Sequence, residues 1–456
     1  MVNKKTKENK DHSELNELKK KQFYDFIPTE IAEMLMKLES FKGIKWLYVV
    51  EEEKFYKYET ERGYWMKKDA DYLRVTIRRF LNNKRKKWEK RGKINEVYDA
   101  FKALCINKKN FKLMDFSKNQ FPEYINLKNG MLNFDKEELI QHHSDYYSQV
   151  QFPVEYDSNA NFDTWEKTMR AWIPDSNTRK FLQEYIGYCL IPDNSAQLAV
   201  ILVGNGSNGK STFLETISAL FGAENLSSIP LQKLSNKFEI AYVKDKLVNI
   251  CSDIDPTYMK QTGYIKTLIH GEMLRGEYKN GKSFDFMPVT RLIFSANELP
   301  RVRDKSEGWY RSFEFVNFPN HFTKSDENYD PYLKNKLIKE LPGILNWALE
   351  GLFRYKRKGG FTESESLKRE KRKYKSSNDT IESFLENNTT KNENEFVQGE
   401  YLYKQYEDYC KNESLKPQSR QTFSVVLNNK GIISKPTYNK RAGKTVRCFH
   451  GLTYQN

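Results

Sequence analysis

Gly204, four intervening residues, Gly209, Lys210 and Ser211 follow a spacing whose chemistry is the holding of phosphate. Glycine at both ends lets the backbone wrap closely enough to aim successive N–H groups at phosphate oxygens, and a helix starting near Lys210 adds its positive end. On this reading Gly204, Asn205, Gly206, Ser207, Asn208, Gly209, Lys210, Ser211 and Thr212 form a cradle for ATP. Lys210 reaches the β- and γ-phosphates, and the Ser211 hydroxyl ligates Mg²⁺. A chance glycine-rich loop is the bland alternative. Here, however, the apolar run "QLAVILVG" enters the loop, "KSTFLETISALF" leaves it, and Gly222 stops the latter, which is the strand–loop–helix setting the motif requires.

Two further apolar runs, "KLVNICSD" and "VTRLIFSAN", end in groups that could complete such a site. Asp253 and Asp255 follow the first, and a carboxylate at a strand tip can hold a magnesium shell and polarise an attacking water. Acids capping a surface strand explain one such residue equally well, and the pair less well. Asn297 ends the second run, where its amide either orients water against a γ-phosphate or forms a turn. In "GEYKNGKSFDF", Lys279 and Lys282 flank Asn280-Gly281. A two-residue type I′ turn would present both cations at a hairpin tip suited to tracking a phosphate backbone; the alternative is a solvated turn with lysines for solubility.

These residues need a scaffold. Continuous apolar strands separated by helical stretches argue for an α/β fold, a P-loop parallel sheet covered by helices. At 456 residues the chain exceeds one core, and three domains are expected. Residues 1–150 read as a mixed α+β domain behind a polar, frayed first twenty residues. It holds a helix in "IPTEIAEMLMKLESF", strands in "KWLYVVEEEKFYKYE", a basic helix in "LRVTIRRFLNNKRKKWEK" and a type I′ hairpin at Asn129-Gly130. Residues 151–353 carry the phosphate-loop domain with a leading helical segment, and 354–379 read as a basic linker or solvated helix. Residues 380–456 form a small unit in the order helix, helix, β-hairpin, that of a winged helix. Arg420, Gln421 and Ser424 start its second helix, and Lys440, Arg441 and Lys444 lie in its wing. A winged helix that binds protein is the alternative. From Leu415 to Asn456 there are eight Lys or Arg and no Asp or Glu, which favours a DNA partner.

Composition agrees. Lys and Arg outnumber Asp and Glu by 76 to 61, a net charge of +15 that suits a polyanion, although solubility or an acidic membrane could also use it. The basic run at 83–93 reads as a solvated face. No run of eighteen apolar residues occurs, and "MVNKKTKENKDHSELNELKKK" lacks an apolar signal region, so a cytoplasmic protein without a membrane span is expected. Cys105, Cys189, Cys251, Cys410 and Cys448 stand singly, as buried reduced thiols would. His142 and His143 beside Tyr146 and Tyr147 raise a metal-and-tyrosine nickase, but adjacent strand residues face opposite ways. The N-terminal region shows no acid cluster for two-metal polymerisation, so no primase domain is expected.

The strand ends "GNGSNGKST", "CSDID" and "FSAN", with "NGMLNF", "LQEYIGYCL", "KTLIHGEML", "FMPVTRLIFSANELPR" and "GWYRSFEFVNF", resemble the superfamily-3 helicases of viruses, phages and plasmids. The resemblance is closest to the poxvirus and phage primase–helicase group and covers about residues 110 to 320. It implies an AAA+-like module forming a homo-hexameric ring around DNA, with ATP and Mg²⁺ bound between subunits. By position it makes Lys210 and Ser211 the Walker A pair, Asp253 the Walker B acid with Asp255 beside it, Asn297 the sensor, and Arg311 the finger acting on a neighbour's ATP. Lys266 would support ATP or DNA. Relatives show two consecutive arginines where this chain has Arg311-Ser312, so Arg301 and Arg303 stay as alternatives. The implied activity is that of an ATP-dependent DNA helicase and replication initiator of a phage or mobile genetic element in a bacterial host. Single-stranded DNA would thread the pore while duplex origin DNA meets the winged helix. An origin-binding ATPase that loads another helicase is the alternative, and a small-molecule P-loop kinase is disfavoured by the basic C-terminal unit.

Overall fold

Pro28 opens helix α1 (Pro28–Phe41), where a missing N–H is harmless, and the helix buries Ile31, Ala32, Met34 and Leu35. The computed structural model describes residues 15–17, 25–50, 52–106, 123–326, 329–413, 415–439 and 443–454. The stretch expected to be frayed, residues 1–20, lies outside them apart from 15–17. After α1 come β1 (Ile44–Val49), β2 (Lys54–Glu59) and β3 (Tyr64–Lys68), an antiparallel meander. Then follow α2 (Ala70–Lys84), capped by the Asp69 carboxylate accepting from the Tyr72 N–H, and α3 (Arg91–Cys105). The basic helix is shorter than expected. It ends at Lys84, and the chain turns through Lys86–Trp88 so that the Trp88 indole can bury.

The next sheet is β4 (Tyr124–Leu127), β5 (Gly130–Asn133) and β6 (Glu138–Ile140). Leu127 pairs with Gly130, so the turn residues are Lys128 and Asn129 and neither has positive φ. The expected type I′ turn at Asn129-Gly130 is therefore displaced by one residue and is of another kind. Ile125, Leu127, Leu132 and Phe134 bury in the same core as the central sheet, whereas residues 31–105 keep a core of their own. Around the expected boundary at 150 the chain packs both ways: Phe152 and Val154 bury with the central sheet, while Tyr147 stacks on Trp65 and Asn126 bonds to Gly63 O.

Pro174 divides the leading helical segment into α4 (Asp163–Trp172) and α5 (Ser176–Tyr188), the latter capped by Asp175. The central sheet contains β7 (Ala199–Val203), β8 (Leu226–Ser227), β9 (Val248–Cys251), β12 (Arg291–Ala296) and β13 (Phe313–Asn317), in the order β13-β7-β12-β9-β8 with every pair parallel. This is the parallel α/β sheet the apolar runs imply. Helix α6 (Lys210–Phe221) follows β7, and α7 (Gly263–His270) precedes the antiparallel hairpin of β10 (Leu274–Glu277) and β11 (Ser283–Phe286).

Helix α8 (Leu341–Lys358) packs on α5. Between them the fully buried Glu184 carboxylate accepts from Arg354 Nε at 2.6 Å and from the Thr362 hydroxyl at 2.6 Å. Within the stretch expected as a basic linker or solvated helix lies α9 (Glu365–Asn378), a helix whose Leu367 and Tyr374, two turns apart, bury against the central unit. It is a packed strut, because those two apolar residues share a face that the surrounding charges hide in the sequence. The last unit runs α10 (Thr380–Asn388), β14 (Thr389–Gln398), α11 (Gly399–Asn412), α12 (Arg420–Asn429), β15 (Ile433–Asn439) and β16 (Lys444–Tyr454), with sheet order β14-β16-β15. A helix and a strand thus precede the expected helix–helix–hairpin. Among the described residues no helix is long and apolar enough to cross a membrane.

Candidate active site

Strand register brings the site together. Val203 is level with Ala296 and Asn317, and Phe294 with Cys251. Gly204, Asn297 and Asp253 consequently emerge along one carboxyl edge of the sheet, where parallel α/β folds place ligands.

The loop's glycines do separate work. Gly206 and Gly209 both hold φ at 92°, in the left-handed region, and Ser207 between them sits at φ 45°. A Cβ on Gly209 would lie 2.1 Å from Trp172 Nε1, and one on Gly204 2.8 Å from the Phe318 carbonyl oxygen. The loop is braced from outside as well: the Phe322 N–H donates to Ser207 O at 2.7 Å and Asn208 Nδ2 to Phe318 O at 3.4 Å. Sequence reasoning missed Trp172 and the 318–322 segment as partners of the loop, since nothing in local spacing ties them to it.

Lys210 is 4% exposed. Its ammonium donates to Gly204 O at 2.6 Å, Asn208 Oδ1 at 3.1 Å and Asn297 Oδ1 at 3.3 Å. Burial lowers its proton affinity, and the nearby Asp253 carboxylate partly opposes that. The cation is thus withdrawn from water and aimed at the loop, so an anion entering there meets a charge with little hydration to lose. Ser211 stands exposed on the first turn of α6, next to Thr212.

The two carboxylates separate. Asp253, at φ 53°, is pinned by its N–H to Ser295 Oγ at 3.2 Å and is the acid whose charge Lys210 feels. Asp255 instead accepts from the Thr257 N–H at 2.9 Å, a local turn. Arg301 and Asn297 both line a cleft that also takes in Gly204, Gly206 and Asn208 of the loop. Arg311 is exposed at the opposite edge, since Ser312 O accepts from the N–H of Ala199, the first residue of β7. Arg303 pairs its backbone with Met259, and Lys266 is bound to Asp304 at 2.9 Å.

Lys279 and Lys282 are exposed at the end of the β10–β11 hairpin. The expected two-residue I′ turn is absent: Glu277 pairs with Ser283, leaving a five-residue loop in which the Gly281 N–H closes on Tyr278 O with Asn280 at φ 62°. In the C-terminal unit Arg420, Gln421 and Lys444 are exposed, whereas Lys440 and Arg441 lie outside the described residues. His142 bonds to Leu127 O at 2.8 Å and His143 to the Asp145 N–H at 3.3 Å, so the two imidazoles go to different partners. The five cysteines are buried free thiols, and burial pushes Cys189 up to about 12. Among the described residues no group of three or more His, Cys, Asp or Glu is placed to hold a metal ion.

Residues 202–311 match a family described as "Family of unknown function (DUF5906)", and residues 8–174 match one described as "D5 N terminal like". Over 183 residues the chain is 25% identical to "Putative helicase L207/L206" of Acanthamoeba polyphaga mimivirus, covering 38% of this chain and 18% of that protein. Over 321 residues it is 23% identical to "Putative helicase 121R" of Invertebrate iridescent virus 3, covering 62% of this chain and 34% of that one. The chain thus spans about a third or less of these relatives' length. Among solved structures, the A form apo structure of the NrS-1 C-terminal region superposes with a TM-score of 0.51 at 15% identity, covering 91% of this chain and 99% of that one. A further apo structure of that region gives 0.50 at 14% identity. At such identities the likeness shows a shared fold.

Proposed function

We propose that this chain is an ATP-driven DNA helicase of a viral or mobile-element replication system. In this reading it cleaves ATP at the interfaces of a homo-hexameric superfamily-3 ring and recognises origin DNA through a C-terminal winged helix. One observation carries the reading: the buried Lys210 ammonium is gathered with Asn208, Asn297 and the Asp253 charge at the mouth of a glycine loop. The helicase names of the viral relatives support the choice among the many functions a phosphate loop can serve. The C-terminal order of helix, strand, two helices and hairpin supports the winged helix.

In this mechanism Lys210 takes a position between the β- and γ-phosphates and exchanges its protein oxygens for phosphate oxygens. The Ser211 hydroxyl and the Asp253 carboxylate are the groups to hold Mg²⁺, which would offset phosphate charge. Asn297, at the strand tip beside Lys210, orients the attacking water, and Arg311 of a neighbouring subunit meets the charge that develops on the transferred phosphoryl group. Lys279 and Lys282 follow the DNA backbone from the hairpin tip.

Strand displacement on a forked duplex by purified protein with ATP tests this. Wild type should unwind, and Lys210→Ala should lose ATPase and unwinding while keeping duplex binding. ATPase stimulated by DNA without strand displacement would favour the helicase-loading alternative, and unwinding by Lys210→Ala would refute the site.

A further inference from the structure

A cleft of about 1060 Å³ lies over the phosphate loop, and one of its walls belongs to the C-terminal unit. Gly204, Gly206 and Asn297 line it from the phosphate-loop side of the chain, and Leu415 and Lys416 line it from the C-terminal unit. Those two residues sit in the connection between α11 and α12. The Leu415 N–H is tied to Cys410 O at 2.7 Å, and Leu415 packs against the buried core of that unit. The wall at Leu415 is thereby tied to the core of the unit.

Helix α9 runs along the same cleft through Lys373 and Ser377 and is fastened to the chain just beyond Asn297. Tyr374 Oη donates to Pro300 O at 2.9 Å, Asn378 Oδ1 accepts from the Val302 N–H at 2.9 Å, and Asn378 Nδ2 donates to Tyr310 Oη at 2.9 Å. The C-terminal unit follows α9 directly, because α10 starts at Thr380. Hydrogen bonds and short covalent stretches thus join the loop holding Lys210, through Asn297, Pro300 and α9, to the unit carrying Arg420 and Lys444.

We propose that the base and ribose of a bound nucleotide rest against Leu415 and Lys416 of the same chain, so that nucleotide and duplex DNA at the C-terminal unit alter each other's affinity. The proposal rests on the phosphate-loop reading above. Lys210 bonds to Asn208 at 3.1 Å, and Asn208 lines the cleft, so a nucleotide anchored by its phosphates at Lys210 has the cleft beside it for its nucleoside; the lining mixes apolar Leu299, Phe318 and Leu415 with many polar groups. Leu415 supplies the apolar contact and Lys416 a cation within the same wall. Because that wall is part of a DNA-binding candidate, any shift of the unit caused by DNA changes the nucleotide's contacts, and linkage makes the effect reciprocal.

Equilibrium titration of the full chain with a fluorescent ATP analogue, with and without a mixed-sequence duplex, tests it. Lys416→Glu should raise the nucleotide Kd by about fivefold or more, Lys416→Arg should stay near wild type, and Lys435→Glu, elsewhere on the unit, should leave it unchanged. Saturating duplex should shift the wild-type nucleotide Kd by about threefold or more, and nucleotide should shift the duplex Kd by the same factor. A Kd that Lys416→Glu leaves unmoved, or a duplex without effect, overturns the proposal; if Lys210→Ala still abolishes binding in the same assay, the phosphate loop stands. A wild type that binds no nucleotide removes that reading and this one with it.

Discussion

Gly209 holds φ at 92° with the Trp172 indole where a Cβ would go, so any side chain there must displace both loop and helix. Gly209→Ala should therefore abolish nucleotide binding in an isothermal titration while the helical circular dichroism stays intact. Asn297→Ala should act differently: nucleotide Kd within a few-fold of wild type, with kcat down by about 10²-fold, as for loss of one oriented polar group. Lys210 and Ser211 were legible in the sequence because their spacing is local. The resemblance already put Asp253 ahead of Asp255; what spacing alone could not show is that Asp253 lies near enough for Lys210 to feel its charge while a local turn occupies Asp255. Asp304 offers a pH test. Burial alone would raise its carboxyl, but hydrogen bonds from Ser306 and Lys266 outweigh it and hold the pKa at about 2, below the ordinary 3.8. A depressed folded value stabilises above the unfolded pKa and is lost as pH falls through the folded one. Wild type should melt above Asp304→Asn at about pH 6, with the gap closing between about pH 4 and about pH 2.

Among elements, the strands announced themselves by apolar runs, whereas α9 did not, because Leu367 and Tyr374 are its only fully buried side chains amid charges. Likewise β14, TTKNENEFVQ, is polar and borders solvent, so no apolar period marks it. The α5–α8 contact turns on Glu184, fully buried and held by Arg354 and Thr362. Removing Arg354 leaves the buried carboxylate with its Thr362 donors but without its close cation, so Arg354→Ala should lower the thermal midpoint by about 4–8 °C. Lys356→Ala, which breaks an ion pair with Asp135 in which both side chains are exposed, should move it by about 2 °C or less. At the β10–β11 hairpin the five-residue loop still projects Lys279 and Lys282.

For the whole molecule, six exposed large apolar side chains, Tyr242, Tyr258, Tyr264, Met273, Tyr278 and Met287, fall within one segment around that hairpin. Of these, Tyr242 and Tyr278 pack edge to face at 5.5 Å. Arg311 carries the sharper consequence. It lies at the amino edge of the parallel sheet, and Val203, at the mouth of the phosphate loop, is four residues along β7, about 13 Å away. In the proposed ring, an arginine so placed is set to act on the loop of the next subunit rather than on its own. Lys210→Ala and Arg311→Ala should each be inactive alone, yet an equal mixture should recover activity. An interface pairing an intact Lys210 with an intact Arg311 arises at about a quarter of the positions in a randomly assembled ring. ATPase measured on the mixture against each variant alone decides it: recovery assigns Arg311 to its neighbour's site, and a mixture as dead as its components moves the finger to Arg301 or Arg303.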